Sequence, residues 1–320
     1  MNDKYFIFDM DETLAELYPM YYFIASLRLK ELIEEDNKST AANMDTTLVH
    51  SLNKAYKLFV ANILKEEKSL KPLGILRPGI LKIMEKLYNL QKAKKINSVL
   101  IYSNNGHLQS LEFIRDLIHT YLGTTKLIKE CIHWDNPMRD EERFVAPGAA
   151  NKTWNVIKKI MVNGACKAPI DLESNRVYFF DDIDHPDLQL NLGSNYYKVP
   201  AYNFKASVDR IAPIYERVII RANVNIKLFM PYIVGIFSNN DTEYLDGDGD
   251  FSEIIKLFRS KIKGTVSADA VVPPPDGGID MMTEAIRKVN GSSEGGRHRR
   301  VGTRKRKVNS RQAKTIKKLK

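Results

Sequence analysis

Tyr5-Phe6-Ile7-Phe8-Asp9-Met10-Asp11-Glu12-Thr13-Leu14 is the stretch that decides the fold. Four apolar or aromatic residues in a row predict a short buried strand, and two carboxylates stand just beyond its end. In an open α/β sheet, ligands bind in the crevice outside the carboxyl ends of the strands, so Asp9 and Asp11 are expected to face a site. Two aspartates two positions apart suit chemistry better than a plain strand end. Asp9 would be a nucleophile beside a divalent cation, and Asp11 the acid and base that protonates a leaving oxygen and later activates water. The other reading is an acidic loop that caps the next helix, with Asp11 or Thr13 as the cap.

Downstream, strands and helices alternate. Tyr18 to about Leu70 carries helical periodicity, with one apolar face in Tyr22, Ile24, Leu27, Leu29, Leu32 and Ile33 and another in Leu48, Leu52, Ala55, Leu58, Phe59 and Ile63. Asp36 to Thr40 is a turn between them, and the whole reads as a small helical insertion over the end of the first strand. Leu76-Arg77-Pro78-Gly79 then opens a helix faced by Ile80, Leu81, Ile83, Met84 and Leu87. A strand over Ser98–Tyr102 ends in Ser103-Asn104-Asn105-Gly106, and a helix runs from Leu108 to Tyr121. Lys126 to His133 is a further strand, Asp135 to Ala150 a polar loop, and Lys152 stands at the start of a helix faced by Trp154, Ile157, Ile160 and Met161. Arg176 to Phe180 is a strand ending in Asp181-Asp182-Ile183-Asp184-His185-Pro186, and Tyr196 to Val199 completes the set. This alternation predicts an α/β fold: a Rossmann-like three-layer α/β/α sandwich on a parallel sheet. The expected organisation is a core over 1–204 with an insertion at 18–72, a helical extension over 205–262, a linker over 263–296 and a disordered basic tail over 297–320.

Composition narrows the function classes. The chain has 320 residues, 43% of them hydrophobic, and its longest apolar run, Leu228 to Phe237, is too short for a membrane span and contains Pro231 and Gly235. No basic-then-apolar leader precedes the first strand, so an intracellular protein, cytoplasmic or nuclear and not secreted, is expected. Cys131 and Cys166 are the only cysteines, which speaks against a disulfide framework. The net charge of +10 is concentrated in Gly291–Lys320, where twelve Lys or Arg face one Glu. That tail could bind nucleic acid without sequence preference, serve as an import address or simply solubilise the chain. No aromatic residue is interleaved there to stack on bases.

Taken together, the strand ends supply the parts of phosphoryl transfer through an aspartyl phosphate. Asp9 attacks phosphorus, and Asp181 joins Asp9 in holding Mg²⁺, with Asp11 and Asp182 as further acids of the metal site. Ser103 donates a hydrogen bond to a phosphoryl oxygen, and Lys152 neutralises phosphoryl charge. Thr13, Asn104 and Asn105 are candidate substrate contacts, the asparagines equally suited to shaping the turn. Asp9-Met10-Asp11-Glu12-Thr13-Leu14, Ser103, Lys152 and Phe179-Phe180-Asp181-Asp182 resemble, in order, the four motifs of haloacid dehalogenase superfamily phosphatases. The resemblance covers roughly residues 4 to 202. It implies that Asp9 is phosphorylated, that Asp11 is the acid/base, and that the chain is a Mg²⁺-dependent phosphatase acting on a phosphorylated small molecule or a phosphoprotein. Asp-Met-Asp-Glu-Thr-Leu, Arg77-Pro78-Gly79 and the double Asp are also similar to phosphatases acting on the C-terminal domain of RNA polymerase II. Those enzymes usually carry Thr where Ser103 stands and lack so long an insertion. The competing class is a non-catalytic protein of this fold that holds nucleic acid through its tail.

Other motifs carry less. His107, His119, His133 and His185 have no paired metal spacing and read as structural or surface residues. Asp246 to Asp250 starts like a calcium loop, but Phe251 and Leu257 replace the Gly and Glu that the loop needs.

Overall fold

The computed structural model describes residues 4–36, 44–145, 151–237, 251–262 and 267–291. Five strands form one all-parallel sheet: β1 Tyr5–Phe8, β2 Ser98–Tyr102, β3 Ile128–Ile132, β4 Val177–Asp181 and β5 Tyr196–Lys198. Their order is β3-β2-β1-β4-β5, so β1 is central and flanked by β2 and β4. Side chains alternate across the sheet. Phe6, Phe8, Val99, Ile101 and Phe180 pack on one face, while Tyr5, Ile7, Leu100, Tyr102 and Phe179 pack on the other. A ladder of stacked rings ties β1, β4 and β5 on the first face, with Phe8–Phe180 at 4.8 Å and Phe180–Tyr197 at 4.9 Å.

Helices cover both faces, giving the three layers expected from the sequence. The first face lies under α4 (Ile80–Lys92) and α5 (Leu108–Leu122), joined by the insertion helices α1 (Tyr21–Leu27), α2 (Leu29–Asp36) and α3 (Thr46–Glu67). The second lies under α7 (Trp154–Asn163) and α8 (Pro186–Leu192). Among the described residues, no helix is long and apolar enough to cross a membrane.

The insertion is built into the core. Its first helix is broken at Arg28, whose backbone leaves the helical region and whose guanidinium pairs with Glu112 on α5. Tyr56 on α3 donates to Asp116, also on α5, at 2.9 Å. At the end of α3, Glu67 accepts from the backbone N–H of Ile75 at 3.0 Å, and burial pushes its carboxyl up to about 7. An acid with a raised folded-state pKa is stabilising below its unfolded value near 4.5, and that contribution is lost as pH rises through about 7. The melting temperature should therefore fall across this window, and Glu67→Gln should flatten the fall; a thermal-unfolding series against pH checks it.

The helical extension over 205–262 contains α9 (Val208–Ala222), α10 (Ile226–Phe237) and α11 (Phe251–Lys261), as the sequence suggests. Its Tyr215 is fully buried against Phe23 and Phe258, with its hydroxyl 2.7 Å from Ser26 Oγ, so extension and insertion share one core. Two sequence expectations are corrected. The polar segment 135–150 includes a 3₁₀ turn at Pro137–Arg139 and helix α6 at Asp140–Val145, because Arg139 and Glu142 pair with each other in the interior, 2.9 Å apart. The expected linker over 263–296 contains helix α12 at Gly277–Gly291, whose Met282, Ala285, Ile286 and Val289 are buried. Residues 246–250 and the tail from 292 onward lie outside the described residues.

The segment leading into α12 is anchored by charge. Asp276 accepts two hydrogen bonds from Arg77 Nη1, at 2.6 and 2.8 Å, and also from the Gly278 N–H at 3.0 Å. A Cβ on Gly278 would lie 2.5 Å from Arg77 Nη1, so only glycine permits this approach. Asp276→Ala should cost about 2 kcal/mol, the scale of a hydrogen bond to a charged group, measurable by urea unfolding.

Candidate active site

β1 and β4 pair in parallel, and the Asp9 N–H donates to the Phe180 carbonyl at 2.9 Å. The two strand ends therefore bring Asp9, Asp181 and Asp182 together, although the last two lie far along the chain. One carboxylate oxygen from each sits within 4.8 Å of the others. Lys152, 1% exposed, bridges this group: its Nζ donates to Asp9 Oδ1 at 2.5 Å and to Asp181 Oδ2 at 2.7 Å.

Several side chains aim that lysine. It lies two residues before α7, where Glu142 accepts from the Thr153 N–H at 2.7 Å and Asp187 from the Trp154 N–H at 2.6 Å. These carboxylates satisfy helix-start donors that a cap would otherwise serve. The Lys152 N–H donates to His185 Nδ1 at 3.2 Å, while His185 Nε2 lies 3.1 Å from Asp181 Oδ2. With Nδ1 accepting, the proton belongs on Nε2, which donates to Asp181. His185 is thus a buried member of the site rather than the structural or surface residue its isolated position suggested.

Asp11 points the other way, toward β2. Its carboxylate accepts from Asn105 Nδ2 at 3.1 Å and Ser103 Oγ at 3.4 Å, and it is not one of the three clustered carboxylates. The expected metal set of Asp9, Asp11, Asp181 and Asp182 is corrected accordingly. Thr13 is fully buried and its hydroxyl donates to Asp182 Oδ1 at 3.3 Å, so it orients that acid instead of facing a substrate. Asn104 is likewise engaged elsewhere, its Oδ1 accepting from Arg139 Nη2 at 2.6 Å. The loop itself turns through Glu12, whose φ of 54° is in the left-handed region. Arg77 holds that turn from behind by donating to the carbonyls of Glu12, Thr13 and Pro200.

The charges are unequal. Burial raises the Asp9 carboxyl well above the usual range; Lys152 opposes this, and neighbouring Asp181 and Asp11 reinforce it. Burial would also raise Asp181, but Lys152 and His185 hold it down at about 2. Asp182 and Asp11 are both raised, mainly by burial. Three clustered carboxylates share one ammonium, so the site has anionic charge to spare and offers only hard oxygen donors. That set fits a small divalent cation such as Mg²⁺, which prefers oxygen ligands and keeps several waters. Asp9, Asp181 and Asp182 would hold it.

No protein-family model, curated protein or solved structure matches the chain. The functional reading therefore rests on these side chains and their spacing.

Arg77, Arg139, Glu142 and His185 are not legible as site residues in the sequence. Arg77 stands in a Pro-Gly punctuation, Arg139 and Glu142 in a segment polar enough to pass for loop, and His185 has no partner at a ligand spacing. The i, i+3 spacing of Arg139 and Glu142 is the one available clue.

Proposed function

We propose that this chain is a Mg²⁺-dependent phosphomonoester hydrolase working through an aspartyl phosphate on Asp9. The observation that carries the reading is the division of labour among buried acids. Asp9 shares Lys152 with Asp181 beside Asp182, while Asp11 is held apart by Asn105 and Ser103. The two neighbouring carboxyls have different partners, an ammonium on Asp9 and neutral donors on Asp11, which suits one to attack and the other to carry a proton.

In the first half-reaction an Asp9 carboxylate oxygen attacks phosphorus as the bond to the leaving oxygen breaks, and Asp11 delivers its proton to that oxygen. The raised pKa of Asp11 keeps a usable fraction protonated closer to neutral pH. In the second, Asp11 takes a proton from water, which attacks phosphorus and releases Asp9 and inorganic phosphate. Lys152 offsets the charge on the phosphoryl group and opposes the protonation of Asp9 that burial favours, and the Ser103 hydroxyl, which donates to Asp11 here, would turn to donate to a phosphoryl oxygen. Bound Mg²⁺ would supply Lewis-acid stabilisation of that charge. The motif resemblance to haloacid dehalogenase phosphatases points to the same chemistry.

The test is release of inorganic phosphate from p-nitrophenyl phosphate between pH 5 and 8, with Mg²⁺ and with a chelator in its place. Mg²⁺-dependent release is expected. Absence of release from the folded protein with Mg²⁺, across this and a panel of biological phosphomonoesters, would overturn the assignment.

A further inference from the structure

Asp11 and the clustered acids divide the sheet end into two sides. The sheet order puts β4, with Asp181 and Asp182, on one side of β1, and β2 and β3 on the other. Asp11 leans toward β2, onto Ser103 and Asn105. If Asp11 protonates the leaving oxygen, as the proposed hydrolysis requires, the leaving group must lie on the β2–β3 side.

A cavity of about 760 Å³ opens there. Asn105, which holds Asp11, also fixes its floor. Its Oδ1 accepts from the His107 N–H at 2.8 Å, and its carbonyl accepts from the Trp134 N–H at 2.9 Å. Gly106 and His107 beyond β2, and His133 and Asp135 beyond β3, line the cavity. The opposite wall comes from the insertion and the helical extension: Tyr21 and Tyr22 on α1, Phe237 at the end of α10 and Lys261 at the end of α11.

The chemistry of this lining is specific. Tyr21 and His107 lie with ring centroids 4.1 Å apart and planes 31° apart, and Tyr22 meets Phe237 edge-on at 5.6 Å. These rings offer faces and edges to a planar guest. Asp135 and Lys261 add one acceptor and one charged donor for a ring that carries both kinds of group at its edge. The volume is far larger than a phosphoserine side chain or a triose needs and lies in the ordinary range for ligand pockets.

We infer that this cavity receives the leaving alcohol of the substrate, and that the alcohol is a nucleoside, making the substrate class nucleoside monophosphates. The inference deepens the proposed hydrolase reading and rests on it for the direction of the leaving group. It also gives the insertion a purpose: Tyr21 and Tyr22 of α1 wall the cavity opposite the ends of β2 and β3.

Two measurements test it. The first compares kcat/KM for AMP and UMP with that for ribose 5-phosphate, phenyl phosphate and a phosphoserine peptide. Stacking of one base is worth roughly 5- to 150-fold, so the nucleotides should exceed ribose 5-phosphate by a factor in that range. Tyr22→Ala and Lys261→Ala should each bring that ratio toward one, chiefly through KM. The second is calorimetric binding of adenosine and uridine, which carry no phosphate, to wild type and Tyr22→Ala. Saturable binding weakened by the substitution is expected. Hydrolysis of phosphomonoesters with equal or greater preference for ribose 5-phosphate, phenyl phosphate or the phosphopeptide would overturn the cavity assignment alone. Nucleoside binding that depends on Tyr22, without hydrolysis of any ester, would support the cavity and overturn the hydrolase reading. Absence of nucleoside binding, or binding unaffected by Tyr22→Ala, would overturn the cavity assignment.

Discussion

Asp9→Asn should lower phosphomonoester turnover by about 10⁴-fold or more while leaving the protein folded. Losing the one group that forms a covalent bond typically costs several orders of magnitude, because no neighbour replaces it in the transition state. Asp11 cannot substitute: its carboxylate is turned toward Asn105 and Ser103, away from the acids that share Lys152. The amide keeps the shape of the carboxylate and one oxygen to accept from Lys152 Nζ. It also removes an acid that burial and its acidic neighbours already disfavour as an anion. Circular dichroism and thermal melting should therefore stay close to wild type. Steady-state phosphate release measures the activity, and turnover within tenfold of wild type would exclude Asp9 as the nucleophile.

Lys152→Met has the second largest expected effect, and it acts on stability as well as rate. Among the described residues, its ammonium is the one cation within hydrogen-bonding reach of both Asp9 and Asp181, and all three side chains are nearly inaccessible. Removing one partner of a buried ion pair leaves charge uncompensated and commonly costs about 3–5 kcal/mol. Protonating one of the two facing carboxylates relieves the repulsion, so the deficit should shrink as pH is lowered from 7.5 toward 5. Millimolar Mg²⁺ should recover part of the lost melting temperature by supplying positive charge to the same acids. Activity should drop about 10³-fold even where the variant is folded, the scale of losing an electrostatic contact to developing charge. Denaturant unfolding at the two pH values, with and without Mg²⁺, checks the stability half of this expectation.

Much of the fold is readable from the chain because strands that are buried on both sides leave little ambiguity. Tyr5–Phe8, Ser98–Tyr102 and Val177–Phe180 are nearly continuous apolar runs, and the residues just after each run must sit at the carboxyl edge of the sheet. That reasoning brings Asp9, Asp11, Ser103, Asp181 and Asp182 to one edge of the molecule. It does not reach side-chain direction. Asp11 and Thr13 stand in the same acidic loop as Asp9, yet one turns to Asn105 and the other goes beneath Asp182, because the left-handed turn at Glu12 redirects the chain between them. Long-range polar pairs are equally hidden. Arg77 and Asp276 meet across 199 positions, and nothing local to either marks the other. The same contact explains why 277–291 reads as linker in the sequence. Pro273-Pro274-Pro275 just before it and Gly277-Gly278 at its start mark a break, while the helix draws its footing from α4 and from Arg77. The break at Arg28 is invisible for a related reason, since apolar spacing continues through it while the guanidinium is pulled toward Glu112.

The most direct measurement is peptide mapping by mass spectrometry after rapid acid quench of the protein turning over a phosphomonoester with Mg²⁺. An acyl phosphate survives brief exposure to acid, so one added phosphoryl group should appear on the peptide containing Asp9. It should disappear with Asp9→Asn and on chelation of Mg²⁺. A phosphoryl group on any other residue, or rapid turnover with an unmodified Asp9 peptide under single-turnover conditions, would contradict the account.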